Sequence, residues 1–310
     1  MSKIRASLFI PLLLSLLAAC GGDPTSKPAA EQGPIHIVVT TGMIADAAQR
    51  IAGDLAKVEA LMGPGVDPHL YKASESDVRK LSEADLILYN GLHLEGKMGD
   101  ILVKLARSRP VVAVSESVPQ EDLREPPEFA GQYDPHIWFD VRLWSKTLDP
   151  IAAALAELAP SHAETFRANA ARYRDELGQL DTSVEQRILE IPESQRILVT
   201  AHDAFGYFGR RYGMRVMGLQ GISTLSEAGL KDVERVVDEV VANKIKAVFI
   251  ESSVPRRSIE AVQAACRSRG HEVAIGGQLY SDAMGAPGTE EGTYPGMVRA
   301  NVNTIVEALK

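Results

Sequence analysis

What most restricts the fold of this chain is an alternation. From Ile35 onward, short β-rich runs alternate with longer amphipathic stretches, four times on each side of a single long periodic segment. That is the pattern of parallel βαβ units. In the first half strands are expected at 35–40, 57–62, 86–89 and 111–114, with helices around 43–52, 75–82, 98–108 and 143–158. In the second half strands are expected at 197–200, 215–219, 247–250 and 272–275, with helices around 204–212, 227–243, 257–269 and 294–309.

Between the halves, Phe166, Ala170, Tyr173, Leu177, Leu180, Val184, Ile188 and Ile191 recur at spacings of three and four, which is one face of a helix. Ser161 and Glu164 have the spacing of a capping box, and Pro192 ends the run. About 30 residues at roughly 1.5 Å each make a rod of about 45 Å. The spacing also fits a coiled-coil oligomerisation helix, but βα units on both flanks need a spine. The expected fold is therefore α/β: two lobes, each with a four-stranded parallel sheet and surrounding helices, joined by one long backbone helix. The expected divisions are 35–160, 161–191 and 192–310, in a monomer.

Ahead of these units, Lys3 and Arg5 precede an apolar stretch at 8–19, too short to span a bilayer. Leu17-Ala18-Ala19-Cys20 follows at once and resembles a bacterial lipobox. The expectation is a signal peptide at 1–19, lipid on the Cys20 sulfur and a flexible linker over 20–34, the alternative being an ordinary signal peptide with an incidental cysteine. The mature chain would then be exported and membrane-anchored, facing the periplasm or the cell exterior. Cys266 would be its last thiol, so no internal disulfide can form. Loss of Lys3 and Arg5 takes the net charge from −8 to −10, which argues against nucleic-acid binding and against a polybasic membrane patch.

Four side chains carry the chemistry: His69 in Val-Asp-Pro-His-Leu-Tyr, His136 in Tyr-Asp-Pro-His-Ile-Trp-Phe-Asp, His202 in Thr-Ala-His-Asp-Ala-Phe-Gly, and Asp282 in Leu-Tyr-Ser-Asp-Ala-Met-Gly. Three imidazoles and a carboxylate complete a tetrahedral site for a borderline-soft divalent ion. They lie 67, 66 and 80 residues apart, so only the folded chain gathers them. The same Asp-Pro-His tripeptide occurs twice, and in each the proline fixes φ before the histidine while Asp67 or Asp134 can orient a ring nitrogen. Glu251, directly after a strand, reads as a partner of a ligand histidine or as a further oxygen donor. Of the remaining histidines, His36, His162 and His271 read as structural or solvent-facing, and His93 as shaping the floor of a cleft. Placed on the βα map, two ligands come from each half, so the ion belongs in the cleft between lobes.

Catalytic motifs are missing from the chain. It has no His-Glu-x-x-His helix, no Gly-x-Ser-x-Gly elbow and no phosphate loop. A four-ligand protein site leaves no vacancy for an activated water, which favours carrying an ion over using it.

These motifs, with Asn90-Gly91 and Thr200-Ala201-His202-Asp203-Ala204-Phe205-Gly206-Tyr207-Phe208, resemble those of the solute-binding proteins of bacterial ABC transporters for zinc and manganese, the cluster 9 or TroA-like family, over nearly all of 35–310. The resemblance implies two four-stranded lobes on a rigid helix, an ion in the cleft, and delivery to a membrane permease driven by an ATPase. Zinc-specific members often carry a histidine-rich acidic loop before the second ligand, and 115–131 holds no histidine. Manganese-specific members often have glutamate where this chain has His202. Ligand softness points to Zn(II), with Mn(II) next. The rivals are a metal-dependent enzyme, a hydrolase or chelatase using the same cleft, and a surface adhesin with a structural metal. Free histidine titrates near 6.5, so affinity should fall below about that pH.

Overall fold

The computed structural model describes residues 33–129 and 131–310. The calls for residues 1–19 and for Cys20, and nearly all of the 20–34 linker, therefore lie outside the described residues.

The first half runs β1 (Ile35–Val39), α1 (Gly42–Ala52), β2 (Ala56–Ala60), α2 (Glu75–Glu83), β3 (Leu86–Tyr89), α3 (Gly99–Leu105), β4 (Val111–Ala113), α4 (Val141–Lys146) and α5 (Leu148–Leu158). Then comes the long α6 (Ala163–Ile188). The second half runs β5 (Ile197–His202), α7 (Gly206–Tyr212), β6 (Arg215–Gln220), α8 (Leu230–Ala242), β7 (Ala247–Glu251), α9 (Arg257–Ser268), β8 (Ala274–Leu279) and α10 (Tyr294–Leu309).

The chain is thus α/β as expected, with parallel strands throughout. The first sheet has the order β2-β1-β3-β4. In the second half the strands form two parallel hydrogen-bonded pairs, β5 with β6 and β7 with β8, while β5 lies beside β7. The spatial order β6-β5-β7-β8 therefore repeats that of the first half. One continuous ladder was expected there, and two pairs in contact are found.

Local chemistry explains where elements depart from the periodic pattern. The helix expected over 143–158 is two helices, because Pro150 has no N–H to give the Lys146 carbonyl and its ring crowds that turn. The chain breaks at Thr147. The capping box at Ser161 and Glu164 does not form: a tight turn over Pro160–His162 puts His162 at the cap of α6, with no side-chain cap bond. A real one forms on α2, where Ser74 and Asp77 exchange bonds. The strand expected at 272–275 runs on through the glycine pair to Leu279. A Cβ at Gly276 would come 2.7 Å from both Ala308 on α10 and Phe249 on β7, so these glycines serve close packing inside a strand.

The face of α6 is buried as its spacing requires, from Phe166 to Ile188. It packs on α1, α4 and α5 from the first half and on α7 and α10 from the second. Among the described residues no helix is long and apolar enough to cross a membrane.

Candidate metal centre

The carboxyl ends of the strands face one another and supply the site. His202 is the last residue of β5, Glu251 the last of β7, His69 lies in the loop after β2, and Asp282 follows β8. His136 arrives differently, on the long segment between β4 and α4 where a short turn begins at Ile137. Its neighbour Asp140 is spent as the cap of α4, accepting from the amides of Arg142 and Leu143.

One nitrogen or oxygen from each of His69, His136, His202 and Asp282 falls within 4.8 Å of the others. All four side chains are buried. The His69 and His136 Nε2 atoms are 3.2 Å apart. Asp282 Oδ1 lies 3.4 Å from His136 Nε2, and its Oδ2 lies 3.4 Å from His202 Nε2 and 3.8 Å from His69 Nε2. A tetrahedron with ligand bonds of about 2.0–2.1 Å has edges of about 3.3 Å. Three of these separations, at 3.2–3.4 Å, match that edge, and the fourth is 3.8 Å. His202 Nε2 and both Asp282 oxygens make no hydrogen bond although they are sealed from water, a costly arrangement unless a cation satisfies them.

Carboxylates behind the histidines fix their rings. Asp134 Oδ1 accepts from the His136 amide at 3.0 Å and lies 2.8 Å from Nδ1, which leaves Nε2 for the cluster. Glu251 does the same for His202, accepting its amide at 2.8 Å and facing its Nδ1 at 2.5 Å. That contact commits Glu251 to the ring, and it does not join the donor cluster. Asp67 acts otherwise than expected: it holds the His69 amide at 2.8 Å rather than a ring nitrogen.

Burial and charge set the protonation. Burial drives the His69 pKa down to about 3, against the pull of Asp282. Burial also opposes charge on His136, but Asp134 and Asp282 outweigh it and lift its pKa to about 9. His202 is raised well above the usual imidazole value because Glu251 and Asp282 overcome its burial. Asp282 feels the same burial penalty, yet the facing imidazoles hold it well below the usual carboxylate range. In the metal-free protein His136 is thus a cation whose Nε2–H faces the neutral Nε2 of His69.

Several supports had no role assigned from the sequence, although some lay inside the quoted motifs. Arg124 Nη1 meets Asp134 Oδ2 at 2.5 Å, and Tyr207 Oη accepts from the Arg124 amide while donating to the Asp134 carbonyl. A Cβ at Gly206 would collide with that guanidinium, which accounts for glycine after Phe205. Asn90 Nδ2 donates to the carbonyl of Pro135, just before His136, and the buried Glu95 carboxylate accepts from Thr40 and from the amides of Asn90 and Gly91. Gly91, Leu92 and His93 all have positive φ, so His93 belongs to this tight turn; it lines a separate hollow with Tyr89 and Tyr133 and is not among the four donors. Trp138 Nε1 donates to the Ser281 carbonyl, and Asn301 pins Tyr280, which together position Asp282. A cavity of about 420 Å³ also reaches Asp282, walled largely by apolar residues such as Val58, Met62, Pro64 and Met284.

Compared with known proteins, residues 37–308 match the family described as ZnuA, zinc-uptake complex component A, periplasmic. The chain is 52% identical over 309 residues to the manganese-binding lipoprotein MntA of Bacillus subtilis, covering 99% of this chain and 100% of that one. It is 50% identical over 284 residues to the zinc-binding protein TroA of Treponema pallidum, covering 92% of each. The solved structure of the periplasmic zinc-binding TroA of Treponema pallidum superposes with a TM-score of 0.87 at 50% identity, covering 89% of this chain and 99% of that chain.

Proposed function

The chain belongs to the periplasmic zinc-uptake component A family of metal-transport solute-binding proteins, and from that premise we propose that His69, His136, His202 and Asp282 hold its cargo ion, Zn(II) ahead of Mn(II), before release to an ABC permease. The observation that carries this reading is the convergence of four buried donors within 4.8 Å of one another, of which His202 Nε2 and both Asp282 oxygens have no hydrogen-bond partner. Three imidazoles and one carboxylate form a donor set softer than manganese prefers, which supports zinc. The relatives divide between the two ions, MntA being named for manganese and TroA for zinc.

In this reading the lobes are 35–160 and 192–310, with 161–191 between them, and the monomer is tethered outside the cytoplasm by lipid on Cys20. The event is binding without chemistry. An enzyme would need an acid or base free beside the ion. The cavity at Asp282 offers Asp46 and Glu59, but Asp46 accepts from the Tyr173 hydroxyl at 2.5 Å and Glu59 pairs with Lys80 at 2.7 Å.

The test is a competition titration of metal-stripped protein with zinc and manganese against a chromophoric chelator, in wild type and in His202→Glu. Zinc should bind far more tightly than manganese, and the added oxygen donor should narrow that ratio by roughly tenfold or more. Binding of neither ion would sink the reading. An unchanged ratio would remove His202 from the donor set.

A further inference from the structure

Contacts that join the two halves around the ion site are of two kinds. At the back, the donors sit on fully buried aromatic rings: Tyr207 reaches the Asp134 carbonyl at 2.9 Å, Trp138 the Ser281 carbonyl at 3.0 Å, and Tyr294 the Trp138 carbonyl at 2.7 Å. At the rim the donor is a small hydroxyl on an irregular segment. Residues 221–229 link β6 to α8 without regular structure, and Thr224 Oγ1 donates to Asp67 Oδ2 at 2.6 Å. Thr224 is buried, while its neighbour Leu225 is 57% exposed. The same segment reaches the other side of the site, since the Gly221 carbonyl accepts from the Asp203 amide beside His202.

Asp67 therefore has two duties. Its Oδ1 closes the Asp-Pro-His turn on the His69 amide, and its Oδ2 takes the hydroxyl from the opposite half. Asp134 and Glu251 each restrain a histidine of their own half. Asp67 is shared across the cleft. His69 keeps slight exposure where His136 and His202 keep none, and the next residue, Leu70, is exposed, so His69 forms the outer wall of the cluster.

We propose that Thr224 is a positioning residue that latches this wall: its hydroxyl, through Asp67, holds the His69 turn closed and so limits how fast the ion leaves. The proposal rests on the donor set assigned above. Moving the 66–71 turn outward breaks a charge-assisted hydrogen bond, whereas the buried aromatic contacts can stay in place.

The experiment is a rapid chase of zinc from the loaded full chain into excess chelator. Thr224→Val, which keeps the shape and removes the hydroxyl, should release zinc about tenfold faster, while Thr224→Ser should release it at nearly the wild-type rate. The metal-free melting temperature of Thr224→Val should fall by no more than about 4 °C, the cost of one rim hydrogen bond. Asp67→Ala should also release zinc faster, and adding Thr224→Val to it should change nothing further. A Thr224→Val rate within about twofold of wild type would overturn the latch. So would an effect that persists in full on Asp67→Ala, or a metal-free melting temperature lowered by well over about 4 °C, which would mean a general loss of structure. Wild-type protein that holds no zinc at all would instead defeat the donor assignment beneath it.

Discussion

His69 and His136 are the same side chain a few ångströms apart, yet the first is neutral and the second is charged. The difference lies behind the rings, since Asp134 faces Nδ1 of His136 while the carboxylate beside His69 is turned to its backbone amide. Burial alone keeps an imidazole neutral, and burial against two carboxylates keeps it charged. The sign of the pH dependence follows. His136, near 9, and His202, well above 6.5, carry protons at neutral pH that an incoming ion must expel. Zinc affinity should therefore fall steadily as pH drops from about 9, with a slope approaching about two logarithmic units per pH unit, rather than only below the free-imidazole value near 6.5. His69, near 3, adds nothing in that window. Chelator competition between pH 6 and 8 checks this, and a flat profile would refute it. In the metal-free fold the His136 pairing stabilises fully below 6.5 and fades as pH rises through about 9, the sign expected for a raised pKa.

At the scale of elements, α6 does more than its apolar stripe announces. Asp181 sits in the buried face and takes Arg142 from α4, and Arg211 and Tyr212 from α7. Those helices follow His136 and His202 in the chain, so one carboxylate steadies both ligand-bearing segments from behind. Burial works against its charge, but the guanidiniums hold its pKa below the ordinary value. Asp181→Ala removes the main partner of Arg211, leaving only Glu185 at 3.7 Å, and should lower stability by roughly 2 kcal/mol, read as a lower urea midpoint at unchanged slope. The loss should be clearly smaller when Arg211→Ala is already present, because the two share one interaction. Equal losses in both backgrounds would mean that the cluster is not coupled.

For the whole molecule, the strand order repeats between the halves, and each half contributes two members of the buried His69, His136, His202 and Asp282 cluster. With α6 packed against helices from both halves, the donors are already gathered before an ion arrives. Loading should therefore move the halves little. The radius of gyration of metal-free and zinc-loaded protein should differ by less than about 1 Å in solution scattering, and a larger change would require a hinge that α6 forbids. The stabilisation on loading should still be large, about 4 kcal/mol at a thousandfold excess over the dissociation constant, because only the fold presents the site.

Legibility followed the range of the forces involved. The two Asp-Pro-His turns, His202 at a strand end, the βα alternation and the α6 stripe could be read because local chemistry writes them: proline fixes φ, strands repeat every two residues, and helices repeat every 3.6. Even the errors at Pro150 and Gly276 were local, one a missing donor and the other a missing Cβ. Arg124 behind Asp134, Tyr207 under Arg124, Asp181 between two helices and Thr224 on Asp67 left no such mark. Each is a single polar side chain whose partner is set by how distant elements pack, 157 residues away in the last case. The sequence by itself determined which residue types can bind an ion and which elements carry them. The tertiary structure alone decided how far apart the donors stand, which imidazoles hold protons, and which loop closes the wall, because those depend on burial and on charges brought together only when the sheets meet.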